Sequence, residues 1–276
     1  MQFIEKNNPI AIEIIANFLE SHWDAASSKY NNAAKYDDNT FPKQRLSAAL
    51  AEEQNYCCCY CMRRIDGERI TLEHFIPKGS KTTEAIFDKY IAADASNVLR
   101  DNVVFKPNFD KSTHISAAPL PHKYPHDVAY HNLWAACDTN KTCNNGRGDT
   151  YIKPFLYDAQ AVGFIAYAKD GFVVSEEDDE LNANVLAKAL NLNSEFLKLV
   201  RKIWFRLSRN ENFRNATDIS KDAVEESVYD NFTDLENVDN LNDFFPIDDN
   251  AKNTILDYPY FFDYYRQHYP LCPSTT

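Results

Sequence analysis

Glycine is scarce in this chain, with 6 residues in 276, and this scarcity disfavours a fold of many strands joined by tight turns. No internal repeat is present, which excludes solenoid and propeller architectures. The length suits one large domain, or a small domain embedded in helical flanks. We therefore predict an α+β fold that is mainly helical.

Long apolar runs are also missing. No window of about 18 apolar residues occurs, and the segment Met1–Asn8 lacks a basic-then-apolar secretory pattern. We therefore expect a cytoplasmic protein with no membrane partner. In a reducing compartment, seven cysteines, four of them crowded between Cys57 and Cys61, are better explained as metal ligands than as disulfides.

The net charge of −12 argues at first against a nucleic-acid partner, because phosphate binding depends largely on Lys and Arg. The charge is unevenly spread, however. Residues 57–155 hold 13 Lys and Arg against 11 Asp and Glu, whereas the remainder holds 16 against 30. This distribution is compatible with a central site that meets nucleic acid and with acidic flanks that dock on a basic protein, although a charge run is usually a solvated surface.

The spacing of apolar residues predicts helices and short strands along the chain. We predict an Asn8-capped helix of roughly 15 residues, a second helix over 42–54, two short strands or a hairpin over 65–77, a hairpin over 163–174 and a helix over 194–208. Residues 79–130 form a long excursion that should flank the active site. The aromatic C-terminus is interpreted as a helix packed on the core, with a partner-binding patch as the alternative.

Four cysteines have the spacing of a zinc site. Cys58 and Cys61 form a CxxC pair, and Cys137 with Cys143 can form a looser second pair. Zinc prefers four such ligands in a tetrahedron, so the sequence predicts one structural zinc. Cys57 and Cys59 are then spare and are interpreted as packing residues.

Three sparse motifs accompany these cysteines: Leu-Glu-His-Phe-Ile-Pro-Lys over 72–78, His-Asn-Leu-Trp over 131–134, and Cys-Asn-Asn-Gly-Arg-Gly-Asp over 143–149. In this order they resemble the HNH nuclease family. The resemblance implies a ββα-metal core stapled by zinc, and we place it at residues 55–158. Residues 1–54 then form an N-terminal helical segment, and 159–276 form a hairpin followed by a helical, acidic region.

A narrower resemblance joins Cys-x-Tyr-Cys, Glu-His-Phe-x-Pro-Lys, Ala-Tyr-x-Asn-Leu and the later Lys-Pro-Phe-Leu-Tyr-Asp at 153–158. From about Tyr56 to Arg201 the chain looks like PtuB, the HNH component of Septu-type and retron-linked antiphage systems. This resemblance implies an ATPase partner and destruction of nucleic acid on infection.

Phosphodiester hydrolysis needs a base that activates water and a cation that neutralises growing charge. His74 is the candidate base. Glu73 and Asn144 can supply oxygen ligands to Mg²⁺ or another divalent ion, which is separate from the zinc. Asn132 resembles the family residue whose amide orients the loop beneath the base. Adjacent side chains on a strand point to opposite faces of the sheet, so we favour His74 over Glu73 as a residue of the active site.

Other readings stay open. The four cysteines could serve a binding module without catalysis, or an adaptor whose nuclease centre is vestigial. Asn144 could cap a helix, and His131 is undecided. The remaining histidines, His126 among them, are interpreted as surface or packed residues. Several cations could contact phosphates or simply be solvated: Arg63, Arg64, Lys78, Lys141, Arg147 and Lys153. DNA is the first choice of substrate, and RNA such as tRNA is the alternative.

Overall fold

The computed structural model describes residues 1–79, 82–115, 123–139, 141–210 and 255–269. These residues form helices and small two-stranded sheets, as the predicted α+β class requires. The helices are α1 (Pro9–Glu20), α2 (Lys43–Glu53), α3 (Glu84–Ala93), α4 (Val98–Asn102), α5 (Cys143–Arg147), α6 (Ala159–Gly163), a π-helical segment (Leu181–Ala189), α7 (Glu195–Arg209) and α8 (Tyr260–His268). The strands are β1 (Trp23–Asp24), β2 (Lys29–Tyr30), β3 (Ile70–His74), β4 (Val103–Val104), β5 (Tyr124–Pro125), β6 (Leu133–Cys137), β7 (Ile165–Tyr167) and β8 (Val173–Ser175).

Helices α1 and α7 begin where the sequence predicts. The Asn8 side chain accepts hydrogen bonds from the backbone amides of Ile10 and Ala11, and Pro9 takes the first helical position. Ser194 caps α7 by accepting from the Leu197 amide. Both helices bury the apolar face that their spacing predicts, and helix α2 also matches its predicted range.

Strands β3 and β6 pair antiparallel, with Glu73 opposite Trp134 and His74 opposite Leu133. The prediction of a hairpin within residues 65–77 is wrong, because the chain after Asp66 forms a 3₁₀ turn over Gly67–Arg69 and the partner of β3 comes from beyond the long excursion. Helix α2 contacts both strands, and α5 contacts β6. The excursion contributes α3, α4, β4 and β5.

The C-terminal part packs on the core, as predicted. Strands β7 and β8 form the expected hairpin, and α7 packs against α8. The Trp204 indole donates to the Ile255 carbonyl oxygen at 2.9 Å, and the Tyr265 hydroxyl donates to the Ala168 carbonyl oxygen at 3.2 Å. Within the described residues, no helix is long and apolar enough to cross a membrane. The acidic stretch at 211–254, His122 and Cys272 lie outside the described residues.

Candidate metal centre and active site

Four buried thiols converge between β3, β6 and α5. The sulfur atoms of Cys58, Cys61, Cys137 and Cys143 lie within 4.8 Å of one another, and the Cys61 and Cys137 sulfurs are 3.6 Å apart. Four sulfurs at about 2.3 Å from a tetrahedral zinc ion would be separated by about 3.8 Å. The cluster could therefore hold zinc with little rearrangement.

Two turns present these thiols. In the first, the Cys58 amide donates to the Arg63 carbonyl oxygen at 2.7 Å, and Met62 adopts a left-handed conformation with φ of 62°. In the second, Cys137 ends β6 and Cys143 begins α5. The Cys137 amide donates to the Cys58 sulfur at 3.3 Å, which joins the two turns. Burial raises the pKa of the Cys143 thiol well above its usual range, so a divalent cation would offset the cost of holding buried thiolates.

Neither spare cysteine belongs to this cluster. Cys59 is buried and its amide donates to the Ala135 carbonyl oxygen at 3.1 Å, while Cys57 forms a bridge with Arg64. Arg63 is fully buried, donates to Thr139 at 3.0 Å, and pairs with Asp257 at 2.8 Å. A role for Arg63 in phosphate contact is therefore wrong, because its guanidinium is committed inside the protein.

Glu73 lies on the interior side of β3. Its carboxylate is 3% exposed and accepts from the Tyr60 hydroxyl at 2.8 Å and from the Arg147 guanidinium. Arg147, itself buried, also donates to the Tyr90 hydroxyl at 2.9 Å and to the His74 carbonyl oxygen at 3.2 Å. This arrangement argues against Glu73 as a ligand of a catalytic ion and against Arg147 as a phosphate contact, since the two charges neutralise each other away from solvent.

His74, the last residue of β3, faces a different set of groups. Its Nε2 lies 2.9 Å from the Asp127 carbonyl oxygen. A carbonyl oxygen can only accept, so Nε2 carries the proton and Nδ1 keeps a lone pair. Burial lowers the pKa of His74 to about 4, so the ring is neutral at pH 7. The Tyr36 ring meets it edge-on with centroids 4.4 Å apart.

Asn132 joins the segments on either side of His74. Its amide nitrogen donates to the carbonyl oxygens of Ile76 at 2.9 Å and His126 at 2.7 Å, and its oxygen accepts from the Ile76 amide at 2.6 Å. The side chain is fully buried. Asn132 is therefore a positioning residue that fixes the loop next to the carbonyl of Asp127.

Asn144 is the second residue of α5, and Thr142 occupies the cap position, so the helix-cap alternative for Asn144 is wrong. Its side chain is half-buried and makes no hydrogen bond among the described residues. No hydrogen bond or ring contact joins Asn144 to His74 in that part of the chain. Asn144 therefore keeps an amide oxygen available for a cation.

The sequence reasoning missed Tyr36 and Asp127. The Asp127 carboxylate contacts the Lys106 ammonium and accepts from the Tyr36 amide at 3.3 Å, so it ties both segments to the loop that holds His74. No sequence spacing marks them, because they come from separate segments. His126 is packed, as predicted: it stacks on Phe105 and accepts from the Lys106 amide at 2.9 Å. His131 is buried against Tyr130.

Comparison with known proteins identified no matching family model, no matching curated protein and no matching solved structure.

Proposed function

We propose that this protein is a metal-dependent endonuclease of the HNH type, which hydrolyses phosphodiester bonds of nucleic acid. The observation that carries the proposal is the neutral His74 ring at the end of β3, whose tautomer is fixed by the Asp127 carbonyl. The order β3, β6, α5 and the four-cysteine cluster beside it support the resemblance to a ββα-metal core.

In the proposed reaction, Nδ1 of His74 accepts a proton from water as that water attacks phosphorus. The Asp127 carbonyl continues to accept from Nε2 and stabilises the imidazolium that forms. Asn132 keeps that carbonyl in place through its bond to His126. Because the ring is buried, the negative phosphate of a bound substrate would also favour its protonated form.

Among the predicted ligands, Asn144 fits a hard cation better than Glu73 does. Its amide oxygen is an acceptable donor for Mg²⁺, which completes its shell with water and substrate phosphate oxygens. Glu73 is already neutralised by Arg147. When bound, Mg²⁺ or another divalent ion would neutralise the charge that grows on the phosphate and the leaving oxygen.

The cleavage test compares wild type with His74→Ala on plasmid DNA and on total RNA, with and without Mg²⁺. Loss of a general base lowers the rate by roughly 10²–10⁴-fold, so His74→Ala should be nearly inactive. His114→Ala is the matched control, because His114 is partly exposed and pairs with Glu20. Tight binding without cleavage by wild type would favour the zinc-stapled binding module, and cleavage by His74→Ala at the wild-type rate would exclude His74 as the base.

We further propose a place in bacterial antiphage defence, with DNA as the first substrate and an ATPase as partner. Two observations support this: the resemblance to PtuB and the excess of acidic residues outside residues 57–155. That net negative charge would repel nucleic acid unless a basic partner protein masked it. Co-expression with a neighbour-encoded ATPase should yield a complex that high salt weakens. Separate elution at low salt, or a complex that survives deletion of everything after Arg209, would contradict the proposal.

A further inference from the structure

One aromatic ring beside the candidate base carries two lysine ammonium groups. The Lys78 nitrogen lies 4.4 Å from the centroid of the Tyr36 ring, and the Lys43 nitrogen lies 4.8 Å from the same centroid. The same Tyr36 ring contacts the His74 ring edge-on, with the two ring centroids 4.4 Å apart. Two exposed cations are therefore held next to the proposed reaction centre.

The two ammonium groups differ in how they are compensated. Lys78 pairs with Asp37, whose side chain is 68% exposed. Lys43, at the start of α2, makes no ion pair among the described residues, although its charge, like that of Lys78, helps to lower the pKa of the Asp37 carboxyl. An ion pair that is this exposed contributes little to stability, so a phosphate oxygen could replace the Asp37 carboxylate at low cost.

Two like charges held against one ring repel each other, and an anion placed between or beside them relieves that repulsion. Within the described residues, other tyrosine rings are each approached by a single lysine, as Tyr269 is at 5.5 Å by Lys169, which lies in the turn between β7 and β8. The Tyr36 ring is approached by two lysines, and this ring also contacts His74. This position distinguishes the pair from ordinary solvated charges.

We propose that Lys43 and Lys78 form a phosphate-binding site for the nucleic-acid strand, in which they contact backbone phosphates next to the scissile one. Tyr36 holds both ammonium groups in position, and Asp37 competes with phosphate for Lys78. This inference rests on the proposed nuclease function. It adds the side chains that would bind the substrate backbone, and these contacts would carry no sequence information.

The test measures equilibrium binding of short labelled duplex DNA, single-stranded DNA and RNA as a function of salt, without added divalent ion so that no cleavage occurs. Lys43→Gln and Lys78→Gln should each weaken binding several-fold and reduce the slope of log affinity against log salt by about 1. Asp37→Asn should strengthen binding, because it removes the competing carboxylate. Lys169→Gln is the matched control and should bind as wild type does.

Melting temperatures of all four variants accompany the binding curves, so that a folding defect is recognised. Cleavage by wild type with Mg²⁺ is measured on the same preparations. If wild type cleaves but both lysine variants bind with wild-type affinity and slope, the phosphate site is wrong and the nuclease function stands. If wild type neither binds nor cleaves any of the three nucleic acids, both proposals are wrong.

Discussion

Glu73 and His74 are neighbours in the chain, yet their side chains serve different purposes. The alternation of a strand directs Glu73 to the buried Arg147 and Tyr60, and His74 to Asp127 and Tyr36. The motif identified both residues, and the periodicity of a strand indicated that they could not share one site. Arg147 could not be predicted as the partner of Glu73, because nothing in the Cys-Asn-x-x-Arg-Gly motif indicates that its arginine is buried.

At this residue scale we predict that Glu73→Gln lowers the free energy of unfolding by about 3–5 kcal/mol, because Arg147 is left buried without a counter-charge. Denaturant unfolding of the zinc-loaded protein measures this. The matched control is Glu195→Gln, since Glu195 is exposed and pairs with Lys198 on the surface, where the loss should be about 1 kcal/mol or less.

A metal-ligand role for Glu73 predicts the reverse pattern. Wild-type stability of Glu73→Gln together with complete loss of cleavage would show that the carboxylate binds the catalytic ion. Arg147→Met, which keeps the length of the side chain, should be destabilised as well. The double variant should be less destabilised than the two single losses together, because it leaves no unpaired charge.

At the scale of elements, the two thiol pairs meet because β3 pairs with β6. Cys58 and Cys61 precede β3, whereas Cys137 ends β6 and Cys143 begins α5. The spacing of the cysteines predicted which four would cluster, and the structure confirms that their sulfurs converge. The strand pairing that achieves this was not predicted, since local patterns cannot identify a partner some sixty residues away.

We predict about one zinc ion per chain in freshly purified protein, because four thiolates at these distances close a tetrahedral site. Elemental analysis is the measurement. Cys58→Ser and Cys143→Ser should lose the metal, and Cys57→Ser should keep it because Cys57 lies outside the cluster. Protein that contains no zinc, or zinc that persists undiminished in the first two variants, would contradict the assignment.

Asn132 connects the loop after β3 with the segment before β6. We predict that Asn132→Ala costs at least about 3 kcal/mol, because it leaves the Ile76 amide and the carbonyls of Ile76 and His126 without their partner. Cleavage should fall as well, since the neighbouring Asp127 carbonyl holds His74. Urea unfolding and a cleavage assay at a temperature where the variant is folded separate the two effects, and a stable variant with normal cleavage would show that Asn132 does not position the loop.

At the scale of the whole molecule, the net charge does not show which charged residues are buried. Among the described residues, three arginines are buried, Arg63, Arg147 and Arg201, all of them no more than 2% exposed. Two of these were interpreted from the sequence as surface cations. Sequence patterns predicted the apolar faces of α1 and α7, because helical spacing is local. They could not predict buried charge, since burial of an ion depends on partners that the chain brings together only on folding.

Like His74, whose pKa is lowered by burial to about 4, two further buried histidines make the folded protein less stable at acid pH. Burial is the largest cause that lowers the pKa of His126 to about 4, where Asp127 and Lys106 act in opposite directions. Burial and the nearby Lys6 lower the pKa of His131 to about 3. Both values lie below the ordinary pKa of about 6.5 in the unfolded chain. The unfolded state therefore binds more protons than the native state as the pH falls below 6.5, and stability is lost down to the folded pKa values.

We predict that the free energy of unfolding falls between pH 6.5 and pH 4, with each histidine contributing at most about 1.4 kcal/mol per pH unit. His131→Phe removes one titrating group and sacrifices no hydrogen bond at Nδ1, which has no partner among the described residues. Its unfolding free energy should therefore depend less steeply on pH than that of wild type. Zinc content is followed over the same range, because thiol protonation also releases metal. Parallel pH profiles for the two proteins, with zinc retained in both, would show that His131 is not held neutral by the fold.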